Sequence, residues 1–163
     1  MRLSHARRAR DDQARGAALA DFVRRNGPLS GTALHRLAWA CAAAMARLHA
    51  RGTAGLRLGP QTVALGTRGQ VLIGWEGAAT VRDDRAMSED MRDWADLVVF
   101  AATGSRRGDP DVLPPVLRTA VERCRHPDPE VRPAAAHVLR ALLGHSMATA
   151  VASVDDLLAC HER

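Results

Sequence analysis

Six consecutive apolar residues, Leu97-Val98-Val99-Phe100-Ala101-Ala102, close a helical stretch that begins at about Glu89 and ends at Gly104. A helix that is apolar on every side has no face to give to water, so it belongs in the middle of the fold with other elements packed around it. The second strong helical pattern runs roughly over residues 31–51, where Leu34, Leu37, Ala38, Cys41, Met45 and Leu48 share one face. Ser30 stands at its N-cap position and Gly52 ends it.

Shorter elements fill the rest of the chain. Leu19, Phe22 and Val23 have the i, i+3, i+4 spacing of a short amphipathic helix, which Asn26-Gly27-Pro28 stops. Residues 52–60 break the helical pattern with three glycines and Pro60. Val63-Ala64-Leu65 and Val71-Leu72-Ile73 then flank the turn sequence Gly66-Thr67-Arg68-Gly69, which predicts a β-hairpin. Residues 78–88 are charged and patternless, hence loop. Leu113–Arg125 and Pro133–Leu143 read as helices about the corner His126-Pro127-Asp128-Pro129, and residues 153–162 as a last short helix opened by Ser153. The expected fold class is therefore mainly α with one short β-hairpin. Residues 1–15 form a basic tail or helix, 16–144 the domain, and 145–163 an extension.

Composition narrows the function classes. A chain of 163 residues with 47% hydrophobic content buries a core without disulfides. It carries no signal-peptide pattern, and its three cysteines, Cys41, Cys124 and Cys160, lack metal-type spacing, so reduced thiols and a cytoplasmic location are expected. The net charge of +5 does not form a nucleic-acid footprint, because arginine is scattered among 18 acids and the Arg2-Arg7-Arg8-Arg10 cluster runs into Asp11-Asp12. All 23 basic residues are arginine, which leaves no lysine to clamp phosphates, act as a base or form a Schiff base.

Four segments, in order, carry a resemblance. Leu19–Leu29 resembles the segment that leaves the hinge of a bacterial, eukaryotic-type Ser/Thr protein kinase, and Met45–Gly52 the helix end before its catalytic loop. Asp90, with Trp94-Ala95 and Val98–Gly104, is similar to the buried helix of actinobacterial members, and Cys124–Pro133 to the corner in which Asp-Pro is followed by Arg-Pro. The resemblance covers about residues 16–144 and implies the C-terminal lobe of the kinase fold.

What it implies about chemistry is loss. The position of the catalytic Asp holds Arg57, a cation that cannot accept a proton; the lysine position holds Gly59, and the magnesium-binding Asn position Thr62. Gly74-Trp75-Glu76 stands where Asp-Phe-Gly would hold the metal. The segment from Ala79 to Asp90 is too short for a full activation segment and has no Ala-Pro-Glu, so Arg132 needs another partner or faces solvent. With roughly 15 residues ahead of the matched region, an ATP-covering N-lobe is not expected. Neither ATP nor Mg²⁺ binding, and no other cofactor, is expected.

The retained residues have structural readings. Asp90 is expected to stabilise the loop around Gly55-Leu56, Trp94 and Trp75 to fill core, and His49 to serve a helix end or a core hydrogen bond. His126, His137 and His145 lack a zinc-ligand set. Leu56, Leu58, Val63 and Trp75, which an N-lobe would cover, form a candidate interaction surface for a second copy or for a kinase or regulator. The functional expectation is a catalytically inactive, pseudokinase-like interaction or regulatory module. Three alternatives stand beside it. Asp128–Arg132 with Ala134–Leu139 is similar to the second helix of a HEAT-type repeat, although no second copy recurs at the period of about 40–47 residues; a small-molecule-binding protein using another site is the second, and a decaying gene product without a partner the third.

Overall fold

The computed structural model describes residues 16–66, 70–73 and 83–144. Its elements are β1 (Ala17–Ala18), α1 (Leu19–Asn26), α2 (Gly31–Ala50), β2 (Val63–Leu65), β3 (Val71–Ile73), α3 (Asp84–Thr103), α4 (Pro115–Cys124) and α5 (residues 135–144), with single 3-10 turns at Pro110–Val112 and Pro129–Val131. The described chain is thus mainly α-helical with a small antiparallel sheet. The expected classes of element are present, and several boundaries differ for identifiable reasons.

Helix α3 is the centre. Met91, Trp94, Ala95, Leu97, Val98, Val99 and Ala101 are buried along it, and it packs against both α2 and α4. Trp94 is fully buried and its indole Nε1 donates to the Ala38 carbonyl of α2 at 3.1 Å. That bond lets a large aromatic ring enter the core without stranding its one polar atom. From α2 come Leu34, Leu37, Ala38, Cys41, Ala42 and Met45, the face read from the sequence extended by Ala42.

The helix starts at Asp84, five residues before the expected Glu89. The physical reason is a cap: Asp83 Oδ1 accepts from the amides of Arg85 and Ala86 at 3.0 and 3.2 Å, satisfying donors that a helix end leaves open. Residues 84–88 are therefore helix, not loop. Ser30 makes the opposite correction. It occupies the N-cap position of α2 with extended backbone, yet its side chain makes no capping bond.

The hairpin pairs Val63 with Ile73, Ala64 with Leu72 and Leu65 with Val71, in the expected place. The sequence reading missed its third strand, β1, which sets Ala17 opposite Leu65 and Ala18 opposite Ala64. Gly16 makes that approach possible, because a Cβ at this position would collide with the Leu65 carbonyl. Near the C-terminal corner, α4 begins at Pro115 and not at Leu113, with the 3-10 turn Pro110–Val112 before it. Asp128 Oδ1 accepts from the Glu130 amide and caps the second 3-10 turn, and α5 starts two residues after Pro133. The expected N-terminal tail and the helix over 153–162 lie outside the described residues, as do Cys160 and His145.

These two caps predict different mutational costs. Asp83→Ala should destabilise the fold by about 1 kcal/mol, the usual cost of a lost cap. Ser30→Ala should change stability by less than about 0.5 kcal/mol, as at an ordinary surface site. Urea unfolding midpoints of the two variants check the contrast.

Candidate functional site

The loop from residue 51 to 62 joins the end of α2 to β2, and one side chain on α3 sets its course. Asp90 is 1% exposed, the only charged side chain in the core of the described residues. Its Oδ1 accepts from the Leu56 amide at 2.8 Å, and its Oδ2 accepts from the Gly55 amide at 3.1 Å and lies 2.9 Å from His49 Nε2. With the carboxylate ionised, that ring nitrogen carries the proton and donates. A buried carboxylate is costly unless its lone pairs are met, and here one carboxylate ties the last turn of α2, the loop and α3 together. Asp90 thus bonds the backbone around Gly55-Leu56, the position assigned to it above, and His49 takes part in the same bond network.

Further along the loop, Thr62 is an internal tie. Its hydroxyl accepts from the Gly59 amide at 2.9 Å and lies within donating distance of the carbonyls of Arg57 at 3.2 Å and Gly59 at 3.3 Å. A hydroxyl has one proton, so it donates to one of these carbonyls at a time. Arg57, between these anchors, is exposed and has φ 51°, the only positive φ of a non-glycine residue among those described. An L side chain in this region carries strain of order 1 kcal/mol or more. Gly74, the fourth position singled out above, lies outside the described residues.

The candidate interaction surface is corrected. Leu56 and Leu58 are each 4% exposed and Val63 is fully buried; all three belong to the core together with Leu19 and Val23 of α1. The reason is that α1 lies along the loop and hairpin, where the Ala20 amide donates to the Pro60 carbonyl at 2.8 Å. Alternate loop residues 56 and 58 point inward, and Arg57 between them points out. Trp75, the fourth member, lies outside the described residues.

Arg132 has found other partners. Its Nε donates to the His126 carbonyl at 2.9 Å, and its Nη1 lies 3.4 Å from both the carbonyl and the hydroxyl of Ser88. Ser88 in turn donates to the Pro129 carbonyl at 2.7 Å. This knot fixes the corner to the first turns of α3, beside an open groove of about 940 Å³ whose floor includes Ala46, Met91, Pro133 and Ala135, with Arg85 and Glu130 among its charged linings. The groove had no signal in the sequence, because its residues come from three segments.

A second titratable group stands out on α3. Asp93 is half-buried, and its carboxyl is pushed from the ordinary 3.8 up to about 6, first by burial and then by the neighbouring charges of Asp90 and Asp96, with Arg106 opposing. Cys41 and Cys124 are buried free thiols pushed up to about 12 by burial, so neither offers a thiolate. No group of His, Cys, Asp and Glu suited to a metal ion occurs among the described residues, and no described helix is long and apolar enough to cross a membrane. Searched against models of known families and against curated proteins, the chain matches none.

Asp90→Ala should destabilise by roughly 1–3 kcal/mol, because it leaves the Gly55 and Leu56 amides without a partner. Arg57→Gly should raise stability by up to about 1 kcal/mol, since glycine adopts the left-handed backbone without strain, whereas Arg57→Ala should change little. Differential scanning calorimetry on the three variants tests these signs.

Asp93 predicts a pH dependence. Its folded pKa lies above the unfolded value, so between about pH 4 and pH 6 the folded state holds more protons and this group's contribution to stability falls as pH rises. Asp93→Asn should remove that slope and melt higher than wild type at pH 7. Identical pH profiles for the two proteins would contradict the assignment.

Proposed function

We propose that the chain is a kinase-C-lobe-like domain that does not transfer phosphate and acts as a protein-interaction or regulatory module. The observation that carries this reading is the Asp90 carboxylate bonded to the amides of Gly55 and Leu56, immediately before Arg57. In the kinase resemblance those amides belong to the catalytic loop, so the scaffold of that loop is kept while a guanidinium stands at the position of the proton acceptor. Two further features support it. The Thr62 hydroxyl is engaged with loop backbone, and Gly59 has no side chain to place beside a phosphate.

The fold alone does not supply a function. The interaction half of the proposal rests on the loss of the groups that phosphoryl transfer uses, at positions whose surrounding architecture remains. A cytoplasmic protein partner, a kinase or regulator or a second copy, is the occupant this reading names. It does not call for ATP, Mg²⁺, nucleic acid or membrane insertion.

The purified chain, incubated with labelled Mg·ATP and a generic acceptor protein, should incorporate no more label than a reaction without it. Arg57→Asp alone should not create activity, because the catalytic groups of such a site act as a unit. Mg²⁺-dependent phosphorylation by the wild-type chain would overturn the inactive reading. Crosslinking in native cells followed by purification should recover one partner in fixed proportion. A chain recovered alone, whose melting temperature rises with a metabolite, would favour the small-molecule alternative instead.

A further inference from the structure

The chain has a single asparagine, Asn26, and the residue after it is Gly27. In this pair the side-chain amide is open to attack by the next backbone nitrogen, because glycine has no side chain to shield that nitrogen and lets the backbone turn freely. No aspartate in the chain precedes a glycine, so this is the one place in the sequence where such a ring closes easily.

The fold puts the pair at the end of α1. Asn26 is the last residue of the helix and is exposed, and Gly27 leaves it with φ 82°, a left-handed backbone suited to glycine. Nothing lies within 4 Å of where a Cβ on Gly27 would stand, so no neighbouring group walls off the turn. Both reacting groups are nevertheless tied back into the helix. Asn26 Nδ2 donates to the Phe22 carbonyl at 3.1 Å, and the Gly27 amide donates to the Val23 carbonyl at 2.8 Å. The first bond holds the leaving nitrogen, and the second engages the proton of the nucleophile.

Those ties belong to the weakest part of α1. The helix has eight residues, too few to hold by itself, and it is buried at Leu19 and Val23, whereas Arg24, Arg25 and Asn26 are exposed. Beyond the turn the chain is secured again where the Leu29 amide donates to the Ala101 carbonyl of α3 at 2.7 Å. An exposed last turn between two secured points opens locally, without unfolding of the core.

We propose that Asn26-Gly27 is a self-modification site gated by the last turn of α1, which protects the amide while closed and lets it deamidate when open. The proposal stands apart from the kinase resemblance. In the open turn the Gly27 nitrogen bonds to Asn26 Cγ, the Cγ–Nδ2 bond breaks, and Nδ2 leaves as ammonia with the proton that the backbone nitrogen gives up. Water then opens the cyclic imide at either carbonyl, leaving the carboxylate on the side chain as an aspartyl product or on the main chain as an isoaspartyl product. Neither product can return the hydrogen bond to Phe22, and each puts a negative charge at the C-terminus of α1, where the helix dipole opposes it.

The test follows the full chain in mildly alkaline buffer by peptide mapping and mass spectrometry, which resolve the amide, aspartyl and isoaspartyl forms. Conversion is expected in the folded chain, about five- to a hundredfold slower than in the same chain unfolded in urea, the protection that two ordinary hydrogen bonds supply. Arg25→Gly, which lowers helix propensity within the turn, should speed the folded-state conversion about three- to fivefold and leave the unfolded rate unchanged. Asp83→Ala, which loosens α3 at the end away from Ala101, should leave both rates as in wild type.

Asn26→Gln keeps a side-chain amide but needs a larger ring, and should not convert over the same period. Asn26→Asp should melt below Asn26→Gln, since it carries the charge that the dipole opposes. Equal rates in the folded and unfolded chain overturn the proposal, as does a folded rate that Arg25→Gly does not raise or that Asp83→Ala raises as much. So does a folded chain that holds no product after about a hundred half-lives of the unfolded one.

Discussion

One buried carboxylate organises the region that separates this domain from a plain helical bundle. Asp90 has almost no contact with solvent, and its two oxygens take two amides and a histidine nitrogen. Each of those donors comes from outside α3, so the carboxylate fixes the end of α2 and the following loop onto the central helix. Removing it would leave the buried Leu56 amide and the part-buried Gly55 amide and His49 ring without their acceptor, and for this reason the site is sensitive to that one side chain. The Trp94 bond to Ala38 is the second such tie, one turn further along the same helix.

From that anchor the rest of the upper surface follows. Once Gly55 and Leu56 are held, Leu56 and Leu58 enter the core and Arg57 is forced outward with a positive φ. The loop then reaches Val63 and the hairpin, which α1 and β1 cover from the side. The surface above the loop is therefore cationic and polar at Arg57, Thr62 and Arg106, in place of the apolar patch that the kinase resemblance implied. That inversion bears on what the domain can bind. A hydrophobic partner at this surface would need the leucines that are already buried.

Periodicity made the main helices legible. The faces of α2 and α3 were readable because their apolar residues repeat at helical spacing, and the hairpin because Gly66 to Gly69 separates two short apolar runs. Residues 84–88 were misread since charge hides periodicity there; Asp83 as a cap, with Met87 and Met91 four apart, was the available signal. The strand Ala17–Ala18 is two small residues long and has no alternation to detect. The burial of Leu56, Leu58 and Val63 was missed because their cover comes from α1, more than thirty residues earlier, and no local pattern encodes that contact. The Arg106 approach to Gly59 is equally long-range, and its only trace in the sequence is a glycine within a conspicuously ordered loop.

Amide hydrogen exchange at Gly55 and Leu56 tests the central claim most directly. Both lie in a loop outside any helix or sheet, so ordinary loop amides there would exchange rapidly, whereas donors bonded to a buried carboxylate exchange only when that contact opens. The account predicts strong protection of both amides in the wild-type chain, lost selectively in Asp90→Asn while the amides at the middle of α4 stay protected. Rapid exchange at Gly55 and Leu56 in the wild type, or protection unchanged in Asp90→Asn, would contradict it.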